Sequence, residues 1–107
     1  MIPAQKRGHV GVRLSPGLRA QLETRKQGLR KRTVAPVIES LLAHRLASGK
    51  PPVDFRPSPL SPEKASLFLP AAQVEVLRAW ARAADVTIGD LIFTMLLEEC
   101  GLDRATG

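Results

Sequence analysis

The side chains able to do chemistry in this chain are mostly cations, and they are unevenly placed. Residues 1–50 carry 11 Lys and Arg against 2 Asp and Glu, a balance of +9, whereas residues 51–107 carry 5 against 8, or −3. The densest run, Arg25, Lys26, Arg30, Lys31 and Arg32, suits a polyanion such as a phosphate backbone. Little else is equipped to react. His9 and His44 are far apart and have no metal-ligand spacing, and Cys100 has no second cysteine to join it. The sequence has no G-x-S-x-G, no phosphate-loop glycine pattern and no histidine–carboxylate set. At 107 residues it also has little room for a buried pocket. The expectation is a binding protein rather than an enzyme, with no cofactor, no metal and no small-molecule substrate.

The elements that must position these cations are set by periodicity. Val10-Gly11-Val12-Arg13-Leu14 alternates and meets Pro16; Leu18, Leu22 and Leu29 come next at helical spacing, and Val34, Val37, Ile38, Leu41 and Leu42 make a second helical stripe. The same order returns later. Ala65-Ser66-Leu67-Phe68-Leu69 alternates and meets Pro70, then Val74, Leu77, Ala81 and Ala84 lead to Ile88, Leu91, Ile92, Met95 and Leu96. A shift of 55 carries Leu14 onto Leu69 and Leu22 onto Leu77, and a shift of 54 carries Thr33 onto Thr87 and Leu42 onto Leu96. The chain is thus two strand-helix-helix repeats. Their bounds are 9–48 and 64–103, with a basic arm at 1–8, a short tail at 104–107 and a segment at 49–63 between the repeats. Residues 49–64, GKPPVDFRPSPLSPEK, hold five of the nine prolines and read as a semi-rigid linker. At ~3.1 Å per residue such a segment reaches roughly 50 Å, so the repeats can meet.

Thr33 and Thr87 each stand just before an apolar stripe, where a hydroxyl can cap free backbone N–H groups. A repeat of ~40 residues without metal or disulfide needs a partner to fold, and a lone strand needs a second one beside it. Pairing of the two repeats answers both needs. Alternation then turns Val10, Val12 and Leu14 inward and His9, Gly11 and Arg13 outward; in the second strand Ala65, Leu67 and Leu69 turn inward, leaving Lys64, Ser66 and Phe68 outside.

Strand, helix, helix in ~40 residues, with a strand ending in Arg13-Leu14-Ser15-Pro16, resembles the ribbon-helix-helix family of DNA-binding proteins, typified by the Arc, MetJ and CopG repressors. The resemblance covers about four fifths of the chain, and the joining of two units in one polypeptide looks like the TraY type of plasmid-transfer protein. It implies a mainly α fold with a short two-stranded antiparallel β-ribbon, the repeats forming an intramolecular pseudo-dimer. It also implies double-stranded DNA as the partner, with the ribbon in the major groove. On that resemblance His9, Gly11, Arg13, Lys64, Ser66 and Phe68 form the base-reading surface, Arg13 being suited to guanine O6 and N7 and Phe68 to a thymine methyl.

The family also holds phosphates at the start of the second helix, which implicates Thr33, Val34 and Ala35. Pro36 falls within the first turn, where its missing donor would be unpaired anyway. The matching residues are Thr87 and Ile88, but Asp90 replaces Pro36 and brings a negative charge to that start. Arg30, Lys31 and Arg32 flank the first start, and Lys6 and Arg7 could add contacts from the arm. The resemblance suggests repression of a promoter first, then an accessory role in plasmid transfer or partition. An adaptor that has kept the fold and lost DNA contact in one repeat is the rival.

Between repeats Glu39 becomes Phe93, Ala43 becomes Leu97, His44 becomes Glu98 and Arg45 becomes Glu99. Phe93 and Leu97 therefore form a second apolar patch, which either widens the core or docks another copy, as self-association on DNA would need. Trp80 and Cys100 read as core residues. The amino terminus has no apolar signal-like stretch, and no apolar run approaches the roughly 20 residues of a membrane span. With its single cysteine, the expected setting is the reducing cytoplasm of a bacterium, associated with nucleoid or plasmid.

Overall fold

The computed structural model describes residues 7–60 and 63–102. In chain order the elements are β1 (Arg7–Arg13), α1 (Pro16–Gly28), α2 (Ala35–Ser48), β2 (Lys64–Pro70), α3 (Ala71–Ala84) and α4 (Ile88–Glu99). Strand, helix, helix occurs twice. β1 starts at Arg7, so Arg7 and Gly8 belong to the strand rather than to an arm.

The strands pair antiparallel, from Arg7 opposite Pro70 to Arg13 opposite Lys64. Period-two alternation then sorts the side chains between two faces. Val10 lies across from Leu67 and Val12 across from Ala65, and all four are buried, as are Leu14 and Leu69. Each strand is backed by the second helix of the other half: α4 packs on β1, α2 packs on β2, and the two helices cross. Leu18, Leu22, Ile38, Leu42, Leu77, Leu91, Ile92, Met95 and Leu96 fill the space beneath the sheet, each fully buried. Burial of such a side chain stabilises by roughly 1.5–3 kcal/mol. Trp80 and Cys100 pack against this core, half-buried. Leu29 does not join it, because α1 ends at Gly28 and leaves Leu29 58% exposed.

Helix starts differ between the halves. Ser15 caps α1, its hydroxyl accepting from the Leu18 N–H at 3.4 Å, while α3 begins after Pro70 without a side-chain cap. Thr87 caps α4 by accepting from the Asp90 N–H at 3.0 Å. Thr33 does not do the same for α2, whose cap residue is Val34 with helical backbone angles and no side-chain bond. A helical φ,ψ pair at Val34 winds the chain one residue too early for the Thr33 hydroxyl to reach the first free N–H groups.

The proline-rich segment is not a free spacer. Pro52 is buried and Phe55 packs against the core. The Arg56 N–H donates to the Thr94 hydroxyl at 2.9 Å, the Ser58 N–H donates to Asp90 Oδ1 at 2.7 Å, and the Ser58 hydroxyl donates to the same oxygen at 2.8 Å. Residues 54–58 thus lie along α4 as a strap. Phe93 and Leu97, only 4% and 2% exposed, belong to the chain's own core, and Leu97 shares a small cavity with Asp54 and Arg56. Of the two readings of these residues, a wider core or a docking patch, their burial supports the wider core, since the apolar surface is consumed within the chain. No helix among the described residues is long and apolar enough to cross a membrane.

Candidate nucleic-acid interface

The outward face of the sheet carries three cross-strand pairs: His9 opposite Phe68, Gly11 opposite Ser66, and Arg13 opposite Lys64. His9, Arg13, Lys64, Ser66 and Phe68 are exposed, and Phe68 keeps 51% of its surface in solvent. A ribbon that buries one face and exposes mixed donors on the other has a surface for recognition rather than for packing. The His9 and Phe68 rings lie 5.1 Å apart at 51°, a tilted contact that fixes an aromatic end to the face. At the other end Arg13 and Lys64 bring two cations together. Gly11 leaves room for the Lys64 side chain to lie over it, because a Cβ there would come within 2.6 Å of Lys64 Cε. Glu39 of α2 accepts from the Phe68 backbone N–H at 3.3 Å and so ties the ribbon to the helix beneath.

Below the Arg13–Lys64 end a cleft of about 360 Å³ joins the ribbon to the start of α2. It is lined by Thr33, Val34 and Ala35 with Arg32, Arg19, Glu23 and Lys26 on one side and Lys64, Ala65 and Ser66 on the other. Two expected groups therefore share one place, since ribbon residues and the helix start face the same opening. The first turn of α2 presents backbone donors and the positive end of the helix dipole there. Val34 is itself buried, so only its backbone could serve an anion.

The basic run divides in three. Lys26 and Arg19 are committed to Glu23, at 2.6 Å and 3.0 Å, and Arg19 also reaches Glu63 at 3.0 Å. The hydrogen bond from Lys26, with the Arg19 guanidinium behind it, holds the Glu23 carboxyl below the usual glutamate range. Arg25 turns to another cavity, beside Leu29, Val37 and Leu41, where its charge partly offsets the burial that pushes the Cys100 thiol up. Arg30, Lys31 and Arg32 remain exposed and make no side-chain hydrogen bond or ion pair among the described residues. Of the basic run, they are the cations available to a ligand. Lys6 and the side chain of Arg7 lie outside the described residues.

Thr87 and Ile88 stand at the start of α4, but that start is covered. Asp90 sits in its first turn and holds the Ser58 N–H and hydroxyl, and a Cβ at Gly89 would lie 3.4 Å from the Ser58 oxygen. An anion would meet the Asp90 carboxylate and the strap before it met the backbone donors. Only the substitution of Asp90 for Pro36 hints at this in the sequence; the partner, Ser58, lies 32 residues away in a segment without periodicity.

Among the described residues no group of three or more His, Cys, Asp or Glu could hold a metal ion. Comparisons with protein-family models, with curated proteins and with solved structures find no match to this chain. The class defined by the geometry is accordingly a mainly helical fold of four helices with one two-stranded antiparallel sheet, carrying a polar, cation-bearing sheet face above a basic helix start.

Proposed function

We propose that the chain is a sequence-specific double-stranded DNA-binding protein, a tandem ribbon-helix-helix pseudo-dimer that reads the major groove with the outer face of its β1–β2 ribbon and acts as a transcriptional repressor. The observation that carries this reading is the antiparallel register: it lines up His9 with Phe68, Gly11 with Ser66 and Arg13 with Lys64 on one open face while burying Val10, Val12, Ala65, Leu67 and Leu69 on the other. A two-stranded ribbon fits a groove ~12 Å wide, and donors at that face can reach base edges. Arg13 bonds guanine, Lys64 and Ser66 donate to bases or phosphates, and Phe68 meets a thymine methyl. The α2 start with Arg30, Lys31 and Arg32 then holds the adjacent backbone, supplying affinity without sequence preference.

Because the two strands differ at every outward position, the half-sites they read are unequal and the target need not be palindromic. Selection of bound DNA fragments by the purified protein, with affinities measured across a salt series, tests the reading. A steep salt slope is expected for the wild type, and Arg13→Ala should lose about 1–3 kcal/mol on the selected site and little on random DNA. Weak binding with a flat salt slope, unchanged by Arg13→Ala, would turn the choice to a protein-binding adaptor.

A further inference from the structure

Where α2 and α4 cross, Arg45 meets two carboxylates: Glu98 Oε1 at 2.7 Å and Glu99 Oε2 at 3.2 Å, while His44 Nδ1 lies 3.0 Å from Glu99 Oε1. The side chains of Arg45 and Glu99 are only 14% and 16% exposed, so their charges are poorly screened. The shift of 54 that relates the second helices carries His44 onto Glu98 and Arg45 onto Glu99. Applied to these contacts, it exchanges Arg45–Glu98 with Glu99–His44 and returns Arg45–Glu99 to itself. The cluster is therefore centred on the relation between the halves, with the Arg45 cation on one side and two carboxylates on the other.

From this we infer that the cluster is a pairing code: Arg45, Glu98 and Glu99 make each half select the other and exclude the pairing of like halves. The inference rests on reading the halves as equivalent copies; it does not depend on what the ribbon binds. Two first halves crossed in the same way would set Arg45 against Arg45 and His44, and two second halves would set Glu99 against Glu99 and Glu98. Like charges at about 3 Å in a mostly buried place are strongly unfavourable, whereas the mixed pair gains charge-assisted bonds from one guanidinium to two carboxylates. The unequal ribbon is then enforced by the helices beneath it: the two strands that read DNA must come from different halves.

The test uses two full-length chains. One carries Glu98→Lys with Glu99→Arg and is basic on both sides of the crossing; the other carries His44→Glu with Arg45→Glu and is acidic on both. Alone, each should show an unfolding equilibrium shifted about tenfold or more toward the unfolded state at low salt, and less at high salt. Mixed in equal amounts, they should form a two-chain species in light scattering, α2 of each crossing α4 of the other, with stability recovered. A third chain with all four substitutions should regain most of the stability lost by the acidic chain. Both of those lack the Arg45 donation to the Lys50 carbonyl, so their difference isolates charge pairing. Separate chains as stable as the wild type, or no recovery in either the mixture or the exchanged chain, would overturn the inference.

Discussion

The turn between α1 and α2 and the turn between α3 and α4 have the same backbone and opposite chemistry. In the first, Arg30 takes a left-handed conformation at φ 55°, and the N–H groups of Arg30 and Lys31 donate to the carbonyls of Gln27 and Lys26. In the second, Asp85 does so at φ 57°, and the N–H groups of Asp85 and Val86 donate to those of Arg82 and Ala81. Each of these contacts maps onto its counterpart by the shift of 55. Past the left-handed residue the two halves diverge: Lys31, Arg32 and an open cleft lead into α2, whereas Thr87, Asp90 and the strap lead into α4. A backbone repeat thus carries one open, basic end and one closed end. Pseudo-symmetry of fold does not require symmetry of function.

The largest effect expected from this contrast is on DNA affinity. Replacing Arg30, Lys31 and Arg32 with Gln should weaken binding by about 10- to 100-fold near physiological salt and flatten the salt slope by about 2–3, measured by fluorescence anisotropy across salt concentrations. An unchanged slope would mean that this end does not hold phosphate. Next is the closed end. Asp90→Ala removes two bonds to Ser58 and a favourable charge in the first turn of α4, and should cost about 1–2 kcal/mol in chemical unfolding. The same variant should bind DNA more tightly, because a carboxylate is removed and a helix start uncovered. Weaker binding at unchanged stability would reverse the roles assigned to the two ends.

Smaller effects separate backbone from charge. Left-handed non-glycine residues cost roughly 1–2 kcal/mol, so Arg30→Gly and Asp85→Gly should each stabilise by up to about 1 kcal/mol. Only Arg30→Gly should also weaken DNA binding; equal behaviour of the two would erase the contrast. Least of all, acidification should remove a little stability as Glu23 protonates. Its folded-state carboxyl is held low by Lys26, so the contribution is present near neutrality and is lost as pH falls through and below the usual glutamate range. Glu23→Gln should remove that part of the acid dependence in thermal unfolding curves.

Much of this architecture is legible in the residues because it depends on short-range periods. Alternation at Val10, Val12 and Leu14 and at Ala65, Leu67 and Leu69 gives the buried face, and the offset of the repeats supplies the strand partner. The pairs His9–Phe68 and Arg13–Lys64 are consequences of those two facts. What could not be read depends on contacts between distant residues without a period. The strap is held by Ser58 on Asp90 and Arg56 on Thr94, and without it the sequence leaves Phe93 and Leu97 open between core and docking patch. The change of His44 and Arg45 into Glu98 and Glu99 is visible in the sequence, but its sense emerges only when α2 and α4 cross. Capping misled at Thr33 because one early helical residue, Val34, displaces the start, while the same reasoning held at Thr87.

The central claim, an asymmetric ribbon reading one groove with one backbone grip, is tested most directly by phosphate-ethylation interference on fragments selected by the purified protein. The expected pattern is a non-palindromic site with strong interference at phosphates on one side of the contacted groove, lost from that side when Arg30, Lys31 and Arg32 are replaced. Two identical inverted half-sites with equal interference on both sides for each bound chain would contradict it.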